Sequence, residues 1–236
     1  MNPVLIVRHT ATEGAGYFSE FLDQRTIPWQ LIRIDAGDRL PDTLNGYSGL
    51  CLMGGPMSVN DNFPWIPLEL ALIRHAVEQD IPVIGHCLGG QLMSKALGGV
   101  VTQNPVKEIG WGEVRVTDAN ASKGWIENSD QLLTVFHWHG ETFSLPPNGV
   151  RILNSTHCAN QAFILNNRHV ALQCHIEMTP QMIRTWCENG AEEIAANPSP
   201  AVQTAAVMQV DLETHTQQLH VIADKIYSRW IQGLEQ

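Results

Sequence analysis

In Pro82-Val83-Ile84-Gly85-His86-Cys87-Leu88-Gly89-Gly90-Gln91-Leu92-Met93, a short apolar run ends in Gly-x-Cys-x-Gly and passes straight into a helical pattern. Glycines two residues either side of Cys87 let the chain turn sharply, so that the side chain projects from the C-terminal edge of a sheet. A helix starting immediately afterwards directs its N-terminal N–H groups and the positive end of its dipole at the thiol, which favours the thiolate. In open α/β sheets the crevice outside the carboxyl ends of parallel strands is also where ligands bind. A buried cysteine in a tight turn is the plainer alternative, and it leaves the rest of this elbow unexplained.

The flanking sequence fits such a sheet. Residues 81–84 form a very short, wholly apolar run, as expected of a strand covered on both faces. Upstream, residues 4–7 read as a strand, followed by Gly14 and Gly16 and by Phe18, Phe21 and Leu22 at helical spacing. Residues 29–34 and 49–53 are further strands, the second ending abruptly at Gly54-Gly55-Pro56. Ile66, Leu70, Ile73 and Val77 then mark the stripe of an amphipathic helix. Alternation of this kind predicts a doubly wound α/β fold with right-handed crossovers.

Beyond about residue 100 the pattern changes to strands and turns, with candidates at 113–116, 132–136, 150–153, 161–165 and 170–174. Pro146-Pro147-Asn148-Gly149 is a turn by composition. Thr179-Pro180 offers an N-cap with proline at the first helical position. Leu219, Ile222, Ile226 and Trp230 recur at helical spacing near the end. A single domain over residues 1–236 is expected, with its core over about 1–180 and a helical segment over about 180–236.

A cysteine nucleophile needs a base and a group to orient it. Val170-Ala171-Leu172-Gln173-Cys174-His175-Ile176-Glu177 supplies both. Residues two apart at the end of a strand point the same way, so Glu177 can hold the imidazole of His175 while its other nitrogen faces Cys87. Paired glycines after a strand, as in Gly54-Gly55-Pro56, leave backbone N–H groups free to approach a ligand, as an oxyanion hole requires.

Composition narrows the remaining classes. Lys and Arg total 14 against 24 Asp and Glu, a formal net charge of −10. That balance argues against sequence-independent binding to nucleic acid or anionic lipid, both of which need surplus cations. With 44% apolar and 16% charged residues, the chain has ample core material and no case for global disorder. No apolar stretch approaches the roughly 20 residues of a spanning helix, and no basic and apolar leader opens the chain, so a soluble cytoplasmic protein is expected. Cys51, Cys87, Cys158, Cys174 and Cys187 are odd in number and contain no Cys-x-x-Cys pair, which fits a reducing compartment. His137 and His139 share a strand face, but no cysteine or carboxylate completes a recognisable ligand spacing, so no metal is expected. Gly14-x-Gly16 lacks the third glycine of a dinucleotide fingerprint, and no cofactor is expected.

In this order, Gly54-Gly55-Pro56, Gly85 to Gln91, and His175 with Glu177 resemble the class I (triad-type) glutamine amidotransferases. Lys107-Glu108-Ile109-Gly110-Trp111 and His137-Trp138-His139-Gly140-Glu141 are similar to the branch related to the glutaminase domain of GMP synthase. Two positions depart from the family pattern. His86 stands where an apolar residue is usual, and Ile176 replaces the proline between the histidine and the glutamate; neither change removes a chemical group. The resemblance implies a flavodoxin-like, open, mostly parallel sheet with helices on both faces and a helical C-terminal segment.

It further implies that Cys87 attacks the γ-carbonyl of glutamine, with His175 as base and Glu177 as its orienter. The oxyanion would be held by the N–H groups of Gly55 and Leu88. Gly54, Gln91, Trp138, His139 and Gly140 are the implied substrate contacts, and His86 is expected to be packed or hydrogen-bonded. A chain of 236 residues leaves no room for a nucleotide-activating synthetase, so the expected ammonia acceptor is a separate protein. A γ-glutamyl peptidase would use the same triad. A noncatalytic or stress-response relative with a reactive elbow cysteine is a third possibility, against which the His175–Glu177 pair counts. An α/β-hydrolase with cysteine for serine normally places its acid before its histidine, unlike Glu177.

Overall fold

The structure is a computed structural model that describes residues 1–117, 122–126 and 132–234. Nine strands form one sheet in the order β2-β1-β3-β4-β9-β8-β7-β5-β6. The strands are β1 (Val4–Arg8), β2 (Trp29–Arg33), β3 (Gly49–Leu52), β4 (Val83–His86), β5 (Val101–Val116), β6 (Leu132–Phe143), β7 (Val150–Ser155), β8 (Ala162–Leu165) and β9 (His169–Leu172). From β2 to β9 all neighbours are parallel, and from β9 to β6 all are antiparallel, so the sheet is mixed.

The parallel half carries the apolar runs that the sequence marks. Every residue of β3, β4 and β9 is buried, because helices cover both faces there. On one face lie α1 (Gly16–Gln24), α4 (Pro180–Asn189) and α7 (Leu212–Trp230), sharing a core with Phe18, Trp186, Tyr227 and Trp230. On the other lie α2 (Trp65–Glu78) and α3 (Leu88–Ala96), which pack Ile66, Ile73, Leu88 and Leu92 into a second core. Short helices α5 (Ala191–Ala196) and α6 (Ala205–Met208) connect α4 to α7. None of the helices described is long and apolar enough to cross a membrane.

Chain order reverses beside β1: β2 lies on one side of it and β3 on the other. Such a switch opens a crevice at the carboxyl edge of the sheet. The segments that leave β1, β3, β4 and β9 at this edge carry His9 to Gly14, Met53 to Pro56, Cys87, and Gln173 to Glu177.

Two boundaries differ from expectation for physical reasons. The run at 81–84 becomes a strand two residues later, because the Ile81 N–H donates to the Ala76 carbonyl and closes the end of α2. Residues 113–116 and 132–136 are the ends of a much longer hairpin of 16 and 12 residues. A register shift between Gln103 and Glu108 absorbs Pro105, which has no N–H to give the ladder, and this hides the strand from an alternation pattern.

Candidate active site

The elbow places its cysteine in an uncommon conformation. Cys87 has φ 48° and ψ −104°, immediately before the first residue of α3. Backbone in this region costs of order 1–3 kcal/mol and persists only where its surroundings enforce it. Here the Cys87 N–H donates to the Leu172 carbonyl at 2.8 Å. A β-carbon on Gly85 would come within 2.7 Å of the Gly90 nitrogen, and one on Gly89 within 2.7 Å of Leu52. Both glycines are therefore required by close packing of strand, turn and helix. Leu88 is the first residue of α3, so its N–H is one of those a helix leaves unpaired.

The thiol lies at the base of a cavity of about 650 Å³. Its Sγ is 3.9 Å from the Trp138 carbonyl oxygen and accepts from Gln173 Nε2 at 3.6 Å. Gln173 Oε1 in turn accepts from Gln91 Nε2 at 3.1 Å. Gly55, Gln91, Trp138, His139 and Gly140 line the same cavity. Gly54 is buried beside it, with its carbonyl 3.2 Å from His9 Nδ1.

His175 and Glu177 are buried together just past the end of β9. His175 Nδ1 is 2.6 Å from Glu177 Oε1. Paired backbone hydrogen bonds between His175 and Phe136 fix the segment, and Trp186 packs edge-on against the ring at 4.9 Å. His175 Nε2 is buried with no hydrogen-bond partner among the described residues. Burial alone would lower the basicity of His175, but Glu177 and the sulfur of Cys87 overcome it and hold the ring well above its ordinary value. Burial likewise opposes ionisation of Glu177, and His175 and His86 overcome it, keeping this carboxyl low. His175 and Glu177 thus form a buried, hydrogen-bonded pair on the strand next to the one that leads to Cys87.

His86 is fully buried, with Nε2 3.0 Å from the Tyr227 hydroxyl and Nδ1 3.9 Å from Cys51 Sγ. Burial pushes it below its ordinary value, and it is packed and hydrogen-bonded rather than open to the cavity.

Two residues of the site carry no recognisable sequence signal of their own. Gln173 occupies the first position after β9, between the strand and His175. Glu13 lines the cavity from the loop after β1. A β-carbon on Gly54 would overlap Glu13 Oε2 and lie 3.4 Å from His175 Cε1, so carboxylate and imidazole flank one spot. Burial raises Glu13 to about 7, with His175 pulling the other way. Its only hint in the sequence is an acid directly before Gly14, in a loop at the carboxyl edge.

The family model described as glutamine amidotransferase class-I matches residues 21–192. The chain belongs to the class I glutamine amidotransferase family. As a member, it is 46% identical to a glutamine amido transferase from Methylobacillus flagellatus, whose crystal structure superposes with a TM-score of 0.97 over 100% of this chain and 96% of that one. A glutamine amidotransferase from Thermotoga maritima superposes with a TM-score of 0.87 at 26% identity, covering 98% of each chain. The glutamine amidotransferase-like protein YfeJ of Salmonella typhimurium is 33% identical over 199 residues, 81% of this chain and 82% of its own length. Similarity also extends to the glutamine-hydrolysing GMP synthase of Herminiimonas arsenicoxydans, at 33% identity over 57% of this chain but only 25% of that enzyme. The family sheet is thus the mixed, nine-stranded α/β sheet described above.

Proposed function

We propose that this amidotransferase hydrolyses the γ-amide of glutamine through a thioester on Cys87, releasing glutamate and ammonia. The observation that carries the proposal is Cys87 lining the cavity at the end of β4, with the buried, hydrogen-bonded His175–Glu177 pair just past the end of the adjacent β9. Sulfur attacks the γ-carbonyl, and the thiol proton passes to Nε2 of His175. The N–H groups of Gly55 and Leu88 receive the oxyanion, Leu88 with the added field of α3. Collapse breaks the C–N bond, and His175 returns the proton to the departing ammonia. Water, deprotonated by His175, then cleaves the thioester and restores the thiol. Glu177 holds the Nδ1–H of His175 through both halves of the cycle.

Gln91 and the Trp138-His139-Gly140 segment face the amino-acid end of the substrate. Gln173 bridges Gln91 and the sulfur. Glu13, beside Gly54 and His175, accepts the substrate α-ammonium. Every group the acyl transfer needs is a side chain or backbone amide of this chain. Ammonia then passes to a separate acceptor protein in the cytoplasm.

The cavity favours one further substrate class on the same triad. Its volume of about 650 Å³ lies in the range of pockets that hold drug-sized ligands and exceeds what glutamine fills, which suits γ-glutamyl amides with a larger leaving group. Steady-state assays of the purified protein on glutamine and on a series of γ-glutamyl peptides separate the two. Higher kcat/KM on glutamine supports the glutaminase. Higher kcat/KM on the peptides replaces it with a peptidase, and inertness to both removes the hydrolytic function.

A further inference from the structure

Glu108, His137 and His139 converge behind the wall of the cavity. Glu108 pairs with His139 across the hairpin and Gly110 pairs with His137, which puts the carboxylate and both imidazoles on one face. One ligand atom from each residue lies within 4.8 Å of the other two. Exposure is 5%, 2% and 5%, so all three are more than nine-tenths buried. The spacing of the two histidines alone shows no third ligand; the strand beside them supplies it.

Neutral side chains do not satisfy this cluster. His139 Nδ1 faces the Glu141 carbonyl oxygen at 3.0 Å and must carry a proton there. Nε2 of a neutral ring is then a lone pair, yet it faces Glu108 Oε2, another acceptor, at 3.0 Å. Gln161 Nε2 lies 3.4 Å from that nitrogen and can donate to its lone pair. Other atoms of the cluster have no such donor. Neither ring nitrogen of His137 has a hydrogen-bond partner among the described residues, and neither does Gln161 Oε1, although all are buried. The same Gln161 amide reaches Glu108 Oε2 through its Nε2 at 2.7 Å. A cation held among the three side chains gives the buried, unpartnered His137 a partner at once.

We infer that Glu108, His137 and His139 bind one divalent transition-metal ion, with zinc the best match to a two-histidine, one-carboxylate set. The outer contacts already exist: the Ser155 hydroxyl donates to Glu108 Oε1 at 2.7 Å, and His139 is oriented through Nδ1. Tetrahedral zinc, with bonds of about 2.0–2.1 Å, holds its ligands roughly 3.4 Å apart, so the set closes by up to about 1.4 Å on binding. The ion clasps β5 to β6 beside Lys107, Trp138 and Gly140. None of its ligands belongs to the proposed triad, so the site stands whether or not glutamine is the substrate.

The test is titration of the chelator-stripped full chain with Co²⁺ and then Zn²⁺. One equivalent of Co²⁺ should bind with visible d–d bands and no thiolate charge-transfer band, which sets it apart from capture by the five free cysteines. Zinc should displace it and raise the melting temperature. His137→Gln should weaken binding at least roughly tenfold, with Glu108→Gln as the second variant should the first not fold. Absence of stoichiometric binding by the folded wild type, a thiolate spectrum, or unchanged affinity in either folded variant overturns the site.

Discussion

Cys87 and His175 are 88 positions apart in the chain and meet because β4 and β9 are adjacent and parallel. Their residue types and their places at strand ends were legible in the sequence: a glycine-flanked cysteine after an apolar run, and a His-x-Glu after another. Glu13 and Gln173 were not. Polar residues in loops have no periodicity, and their importance comes only from what the sheet edge brings beside them. Glu13 lines the cavity as a buried carboxyl. Because burial raises it to about 7, it is neutral below that pH and anionic above it. As acceptor for an α-ammonium it should make KM for the γ-glutamyl substrate fall as pH rises through about 7. In Glu13→Gln that fall should vanish, and KM above pH 7 should rise roughly tenfold, the scale of a lost charge-assisted hydrogen bond, with kcat little changed. An unaltered KM profile would remove Glu13 from the substrate site.

Among the elements, those with a clear period were read correctly and those with a broken one were not. The stripe of α2 and the N-cap of α4 follow the sequence closely, and Thr179 Oγ1 accepts from the Met182 N–H at 3.3 Å with Pro180 at the first helical position. The β5–β6 hairpin escaped because Pro105 and its register shift interrupt the alternation, and Gly110 at φ 108° bends the strand again. That hairpin furnishes Lys107, Trp138 and Gly140, so most of one cavity wall was invisible as structure although its residues were singled out. Thr179 lies two positions beyond Glu177 and anchors the helix that carries Trp186 onto His175. Thr179→Ala should cost about 1 kcal/mol in denaturant unfolding, the usual loss for an N-cap. Unfolding free energy unchanged within error would mean that tertiary packing alone fixes the start of α4.

At the scale of the whole molecule, the C-terminal helix and the elbow are parts of one core. The amphipathic stripe of α7 was evident, but its destination was not, since periodicity gives a face and no partner. Tyr227 on that helix packs edge-on against Phe18 and Phe21 at 4.9 and 5.3 Å and reaches His86, the residue before Cys87. The departure at His86 is therefore matched by a hydroxyl from 141 positions away. Tyr227→Phe should leave His86 Nε2 buried and unpaired and destabilise the protein by about 1–3 kcal/mol. Equal stability of the two proteins would show that the ring packs without needing the bond.

In the proposed reaction the strained Cys87, at the N-terminus of α3, forms the covalent link to the γ-glutamyl group. The most direct measurement is intact-mass and peptide mapping of the protein after reaction with a glutamine-like electrophile, wild type beside Cys87→Ala. One adduct per chain, located at Cys87, blocked by excess substrate and lost in Cys87→Ala, is the predicted result. Full labelling of Cys87→Ala, or an adduct placed on Cys51, Cys158, Cys174 or Cys187, would contradict it.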